Sequence, residues 1–444
     1  MKQTDAFVWL SRGLDGRYHG ASRQRPCPPS SEPCMSSSLC AAAPSAAATS
    51  HRAILLFLPL ALMSALLNSS VPTPLYPHYQ QALALSDVSL TLIYGGYAGG
   101  VLISLFGVGN LAGRVSDLRA MILPALLAVL GGALLFSLAD SFWSLLLARV
   151  LAGIGTGALT GAANVALLRF GPRDGGKRAA LSATLSFTAG LALGPVFSGL
   201  ALQLECYPTQ LPFLLIMGLA ACAMAGVALS WPARAQGAPA AATQQGRGSL
   251  GEGLKATGAA FFICALALFT AWAVAASLLA IGPKVASQLL GLRDLGLFGY
   301  LIAAYMVLSG LCQLWARRLD ARHTLQSGAL ALAICMLLFA GAVHAQSWWL
   351  AVLGLLVAGY AQGAVFVGSA TLVNRIAPAA SHARLVSLFY VIAYVANWVP
   401  VLLGWVSDGG GVQAAVDLLT VGSVLISLGL AWAAWRTRFE PAAG

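Results

Sequence analysis

Charge is the scarcest commodity in this chain. Only 9% of its 444 residues are charged, against about 25% in an ordinary soluble domain, which leaves too little to coat a water-facing surface. Acids are rarer still. There are 14 Asp and Glu against 25 Lys and Arg, and none of the acids falls in the middle of a long apolar run. That argues against a membrane-embedded enzyme, which needs clustered carboxylates, histidines or a metal site. The eight cysteines (Cys27, Cys34, Cys40, Cys206, Cys222, Cys264, Cys312 and Cys335) form no CxxC pair. They read as small apolar packing residues, with no disulfide framework and no zinc site. No GxxxxGK[ST] phosphate-binding loop occurs, so nucleotide hydrolysis is not the expected energy source. No cofactor and no metal are expected.

What the chain has is apolar sequence: 59% of it is hydrophobic, arranged in runs of about 20 residues, the length of helix that crosses the hydrocarbon core of a bilayer. Backbone groups in lipid must be satisfied within the segment. The Ala, Leu and Gly richness favours helices over a β-barrel. The expected fold is therefore an all-α membrane protein. Its twelve transmembrane helices lie at 53–75, 88–111, 120–139, 141–168, 179–204, 209–231, 256–280, 295–315, 324–345, 348–374, 385–406 and 412–435. The net charge of +11 could suggest nucleic acid, but its distribution argues against that partner. Outside residues 1–50 and Arg149, 17 Lys and Arg fall in one set of alternate loops; only Lys284 and Arg293 fall in the other. The positive-inside rule then places both termini in the cytoplasm and the chain in a cytoplasmic (inner) membrane.

Residues 1–50 are rich in Ser, Pro, Ala and Arg and read as a disordered or extraneous tail, with Met35 as an alternative start. The expected organisation continues with a six-helix half at 51–231, a Gly/Ala/Gln linker at 232–255, a second six-helix half at 256–436 and a tail at 437–444. A repeat supports the division. Arg169, Pro172 and Arg178 recur 206 residues later as Arg375, Pro378 and Arg384, and Gly153 and Gly157 as Gly359 and Gly363. Pro195 and Gly199 recur as Pro400 and Gly404, one residue tighter. Repeated halves in a membrane chain put a pathway at their interface.

Three local motifs carry a resemblance to a known family. After span two, Gly109, Leu111 and Arg114 match the pattern G-x-L-a-D-R-x-G-R-R; Gly113 stands for the usual acid, and Asp117 is the nearest substitute. A degenerate second copy holds Arg318 and Asp320. In span four, Arg149-Val150-Leu151-Ala152-Gly153 resembles R-x-x-q-G; Arg149 is the one charge clearly inside a span. Laid against Gly359-Tyr360-Ala361-Gln362-Gly363, that motif puts Gly359 at the arginine position. In span five, Gly190, Gly194, Pro195 and Gly199 fit g-x-x-x-G-P-x-x-G-G, with Ser198 for a glycine. Together the motifs resemble the major facilitator superfamily, and the span-five motif its twelve-span drug/proton antiporters. The resemblance implies alternating access, a cytoplasmic loop latch between halves, a pathway role for Arg149, and outward transport. It also implies a monomer. Physically, the span-five glycines allow close helix approach, and Pro195 removes a backbone hydrogen bond and kinks the helix.

A proton-coupled carrier needs a titrating group. Asp87 and Glu205, near the outer ends of spans two and five, are the candidates, with His78 after span one as a lesser one. Asn68 and Asn397 are polar groups expected to line the pathway. Tyr94 and Tyr97 in span two, with Tyr390 and Tyr394 in span eleven, could form an aromatic cavity for amphipathic solutes. The expected function is a secondary active transporter, with protons, a small organic solute and the lipid bilayer as partners. Proton-coupled efflux is the first reading; a narrow-specificity metabolite exporter or uptake symporter of the same fold is the alternative.

Overall fold

The computed structural model describes residues 46–111, 117–171, 176–205, 207–231, 249–292 and 294–439. Arg114, Pro172, Arg293, Cys27, Cys34, Cys40 and Cys206, the linker up to 248 and both chain ends lie outside them. All regular structure among the described residues is helical. Among the described residues eleven helices are long and apolar enough to cross a membrane, and the last, His382–Arg436, spans 55 residues. Gly411 interrupts it with φ 84° and ψ 163°, a conformation that L side chains rarely adopt, so it makes two crossings and the total is twelve.

Span one is α1 (Ala46–Ser70) and α2 (Pro72–Ala82). It runs seven residues beyond the expected end at 75 and starts inside the expected tail. Pro72 begins a new helix, yet the chain continues at once with Tyr76 and Tyr79 buried, while His78 is exposed. Spans two to six are α3 (Asp87–Leu111), α4 (Arg119–Ser137), α5 (Phe142–Phe170), α6 (Lys177–Gln203) and α7 (Leu211–Ser230). The short break between spans three and four is set by a capping box, in which Ser141 Oγ accepts from Ser144 N–H and Ser144 Oγ from Ser141 N–H.

Span seven is α8 (Leu250–Ala280). Its first turns lie within the expected linker, because Ser249 and Glu252 form a second capping box there. Gly258 (φ 52°, ψ −139°) separates those turns from the membrane part. A connecting helix α9 (Gly282–Gln288) leads to α10 (Leu295–Ala316), α11 (Ala321–His344) and α12 (Trp348–Ile376). Span eleven is α13 (His382–Val395), a 3-10 turn at Ala396–Trp398 and the first part of α14 (Val399–Arg436); span twelve is the rest of α14.

The two halves pack alike. Span one lies against five and six as seven lies against eleven and twelve. Span two packs on four, three on four and three on six; eight packs on ten, nine on ten and nine on twelve. The repeat glycines explain the match. Gly153 and Gly157 press span four on Tyr97 and Ser104 of span two, and Gly359 and Gly363 press span ten on Leu308, Ser309 and Cys312 of span eight. The halves meet through a crossed pair, span five on eight and span eleven on two. Gly199 abuts the Gly296 carbonyl, and Gly404 abuts Thr91 and the Asp87 carbonyl. Gly190 and Gly194 face a different neighbour, span one, at Leu66 and Ser70. The small-residue face of span five therefore serves two helices. We call the face where α1 begins the basal face and the opposite one distal.

Candidate transport site

Arg149 is the largest fully buried side chain, 1% exposed. Its Nε donates to Tyr76 Oη (2.8 Å) and its Nη1 to the Ser69 carbonyl (2.7 Å). The guanidinium carbon lies 5.5 Å from the Tyr76 ring centroid, 5.4 Å from Tyr94 and 5.5 Å from Tyr97. A cation in mid-span costs about 2.5–3.5 kcal/mol on insertion scales. Two charge-assisted hydrogen bonds at about 1.5–3 kcal/mol each, with desolvated cation–π contacts of up to about 2 kcal/mol, offset that without a carboxylate. The cage forms because α2 continues past Pro72 and carries Tyr76 beside span four. Tyr76 and Tyr94 also meet edge-on at 6.3 Å, itself a favourable aromatic geometry.

Arg149 lines a cavity of about 60 Å³ on the seam between the halves. Ser69, Thr73, Tyr94, Tyr97 and Pro195 line it from the first half; Leu279, Ile302, Met306 and Asn397 line it from the second. Asn397 sits in the 3-10 turn and donates to the Tyr394 carbonyl (3.1 Å).

At the distal end a polar latch joins the halves. Asp87, 5% exposed, lies with both carboxylate oxygens 2.5 Å from Lys284 Nζ. It also accepts from Ser407 Oγ and from Gln80 Nε2 (2.6 Å). Asp408 caps the start of span two, accepting from the N–H groups of Asp87 (2.8 Å) and Val88 (3.1 Å). On the other seam, Gln203 donates to Asp294 (2.7 Å) and accepts from Tyr300 (2.8 Å). Charges and dipoles of opposite sign thus hold the distal face shut.

The other sequence candidates scatter. Asn68 is fully buried but donates to the Val129 carbonyl of span three (3.2 Å) and does not line the cavity; its Oδ1 is buried without a partner among the described residues. It is an interhelical strut rather than a pathway residue. Glu205 is exposed in the turn after span five at φ 50°. Gln203, two residues earlier, reaches the seam instead. Tyr390 and Tyr394 do not line the cavity; Tyr394 packs edge-on against Trp272 (5.1 Å) and Tyr390 against Phe389 (5.2 Å). Pro195 lies within a continuous helix and faces the cavity. Gly109 lies in the last turn of span two, which ends at Leu111. Asp117 pairs with Arg119 beside it (3.0 Å), not across the halves. Asp320 caps α11 and pairs with His323 (3.1 Å), and Arg318 is exposed.

The expectation that Gly359 stands in for Arg149 is also corrected. Gly153 and Gly359 occupy matching helix contacts, so the counterpart of Arg149, four residues earlier, is Leu355. Sequence reasoning missed Tyr76, Ser69, Lys284, Ser407 and Asp408. One signal was available. Lys284 is one of only two basic residues on its face of the membrane, where acids gather.

Two six-helix halves around a buried cation, sealed at one face, define a multi-pass membrane protein of the two-fold transporter architecture. The sequence profile of the Major Facilitator Superfamily matches residues 58–399, and the chain belongs to that family, whose members are transporters. No curated protein matches the chain. Among solved structures it is similar to a bacterial homologue of the human lysosomal transporter Spinster in an inward-facing, occupied conformation. That pair has 16% identity and TM-score 0.71, covering 87% of this chain and 97% of that one. It is similar also to the nucleoside transporter NupG (14%, TM-score 0.67, 87% and 100%). A POT family transporter in complex with a thioalcohol-conjugated peptide gives 12%, TM-score 0.69, 87% and 96%. At these identities the likeness is one of fold.

Proposed function

We propose that this chain is a proton-coupled secondary transporter that moves a small organic solute outward by alternating access across a cytoplasmic membrane. The basal face would be cytoplasmic. The observation that carries the reading is the position of Arg149, which is desolvated on a cavity that both halves line. A rocking motion of the halves would expose that cation to one side and then the other. Opening the distal side requires breaking the Asp87–Lys284 pair and the Asp408 cap. While the latch is closed Lys284 keeps the Asp87 carboxylate ionised; a proton taken up as the latch opens would cancel that attraction and hold the pair apart. The 17-to-2 loop asymmetry supports the orientation.

A specific observation favours narrow specificity over broad efflux of amphipathic cations. Tyr94 and Tyr97, the rings that such cations would use, already face Arg149. At an effective dielectric of 20, two like charges 4 Å apart repel by about 4 kcal/mol.

The test is proteoliposomes with entrapped pyranine, challenged with a panel of small carboxylates, amines and neutral solutes. A solute-dependent proton flux in wild type that disappears in Arg149→Ala is expected. Solute uptake without any proton flux would remove the coupling and leave a uniporter. No uptake of any solute by correctly inserted protein would remove transport.

A further inference from the structure

Two cavities meet at one layer of side chains. The central one, with Arg149 on its wall, ends on Leu279, Ile302 and Met306. A second cavity of about 520 Å³ lies inside the C-terminal half towards the distal face, beneath α9. Its walls include Val274, Phe298, Phe339, Trp348 and Leu355 and are overwhelmingly apolar. Ile302 lines both cavities. Leu278, Leu279, Phe298 and Met306 pack around Ile302 in one small cluster, so the partition is a single side chain thick. The larger space falls within the roughly 300–1,000 Å³ range of small-molecule sites. The smaller one has room for a headgroup and no more.

We propose that the transported solute is an amphipathic organic monoanion, a carboxylate on an apolar body, with its headgroup at Arg149 and its body received by the apolar cavity beyond Ile302. The proposal rests on the transport reading above and names its substrate class. No acidic side chain among the described residues lines the central cavity, so the buried cation has no fixed counter-charge there. A carboxylate supplies one, and the guanidinium fork suits it. Ser69, Thr73 and Asn397 lie beside it as further polar contacts. The adjoining cavity offers an alkyl or aryl body hydrocarbon walls and almost no polar partner. A cationic amphiphile fits the second space as well but meets Arg149 at the first. A neutral one gains nothing from the charge of Arg149.

The test is binding of butanoate, hexanoate and octanoate to wild-type protein in nanodiscs, corrected with empty nanodiscs, beside octyltrimethylammonium and 1-octanol. Affinity for the carboxylates should rise roughly tenfold for every two methylenes buried, and octanoate should bind at least tenfold tighter than octyltrimethylammonium. Arg149→Gln should weaken octanoate at least tenfold and leave 1-octanol unchanged. Ile302→Trp, which adds bulk to the wall shared by both cavities, should flatten the chain-length series, weakening octanoate far more than butanoate. Equal binding of cation and anion, or octanoate binding indifferent to Arg149→Gln, would overturn the headgroup assignment. A chain-length series untouched by Ile302→Trp would overturn the second cavity. If a variant fails to insert, the wild-type comparison of anion with cation decides alone. Counterflow in proteoliposomes separates the two readings. Octanoate that binds but never exchanges leaves the site standing and sinks transport; exchange driven equally by the cation does the reverse.

Discussion

Arg149 and Leu355 occupy the same place in two copies of one fold, and their surroundings have diverged completely. Each sits four residues before a glycine that docks on the second helix of its half, Gly153 on Tyr97 and Gly359 on Leu308. One looks into a cage of three tyrosines and a small cavity with polar groups on its wall; the other lines an almost wholly apolar cavity nearly nine times larger, about 520 against about 60 Å³. The backbone contacts are kept because the helices must still approach closely. The side chains one turn away are free to specialise. The repeat supplies the common frame, and asymmetry supplies the difference between the two cavities.

The sharpest way to break the comparison is to make the halves alike. Arg149→Leu should abolish transport, a loss of about 10²–10³-fold if the cation contributes about 4 kcal/mol to holding an anion. Stability should barely change. Removing the buried cation relieves about 2.5–3.5 kcal/mol, and the orphaned Tyr76 hydroxyl and Ser69 carbonyl cost about 1–3 kcal/mol each. Transport and thermal unfolding at matched membrane abundance check both. A variant that transports normally would deny Arg149 any role in the pathway.

Next in size are the crossed seam glycines. Gly199→Val and Gly404→Val insert bulk against Gly296 and against Thr91 with the Asp87 backbone. Overpacking of this kind costs about 1–3 kcal/mol, or about 5- to 150-fold in the distally closed population. Both should expose a cysteine placed in the central cavity to a membrane-impermeant thiol reagent added from the distal side. Equal effects would show that the two seams share the closure; an effect at only one would show that the halves do not rock symmetrically.

The repeat, the twelve crossings and the seam glycines were all legible in the sequence, because length, hydropathy and glycine spacing act locally. Arg149 was legible for the same reason: a charge in a span needs an explanation. Its cage was legible only in part: Tyr94 and Tyr97 were candidates, but Tyr76 lay just past the expected end of span one at 75, and only packing shows that the helix runs on. The latch partners were hidden too, since Asp87 and Lys284 are 197 positions apart. Asn68 and Glu205 failed because polarity in or near a span says nothing about which way it faces.

A smaller effect tests that latch. Asp87→Asn, Lys284→Ala and the double variant form a cycle whose readout is the same distal accessibility. Lys284 is 19% exposed, so water screens part of the attraction, and the expected coupling is about 0.5–3 kcal/mol. Additive effects would mean that Ser407 and the Asp408 cap close the face without the ion pair.

The smallest effect concerns the basal loops, where the halves have stayed alike. Asp117 accepts from Arg119 N–H (3.0 Å) at the start of span three, and Asp320 accepts from Arg322 N–H (3.1 Å) at the start of span nine. Partial burial pushes the Asp117 carboxyl up, but hydrogen bonds from Arg119 and its charge outweigh this and hold it below the usual carboxylate range. Asp320 is held low in the same way, by hydrogen bonds from His323 and Arg322. A depressed folded-state value means stability that is present above the unfolded value, about 3.9, and lost as pH falls through the folded one. Both acids should therefore contribute fully near neutral pH, where stability does not vary with their titration, and their contribution should fade only below about pH 4. Asp117→Ala and Asp320→Ala should each cost about 0.5–2 kcal/mol as lost caps. The Asn variants, which still cap, should lose less than about 1 kcal/mol, the share of an exposed ion pair. Thermal unfolding of all four variants at pH 7 and pH 3.5 checks this. If Asp117→Asn kept its stability and lost transport while Asp320→Asn kept both, the basal loops would have specialised as the cavities did, with Asp117 acting beyond its own helix.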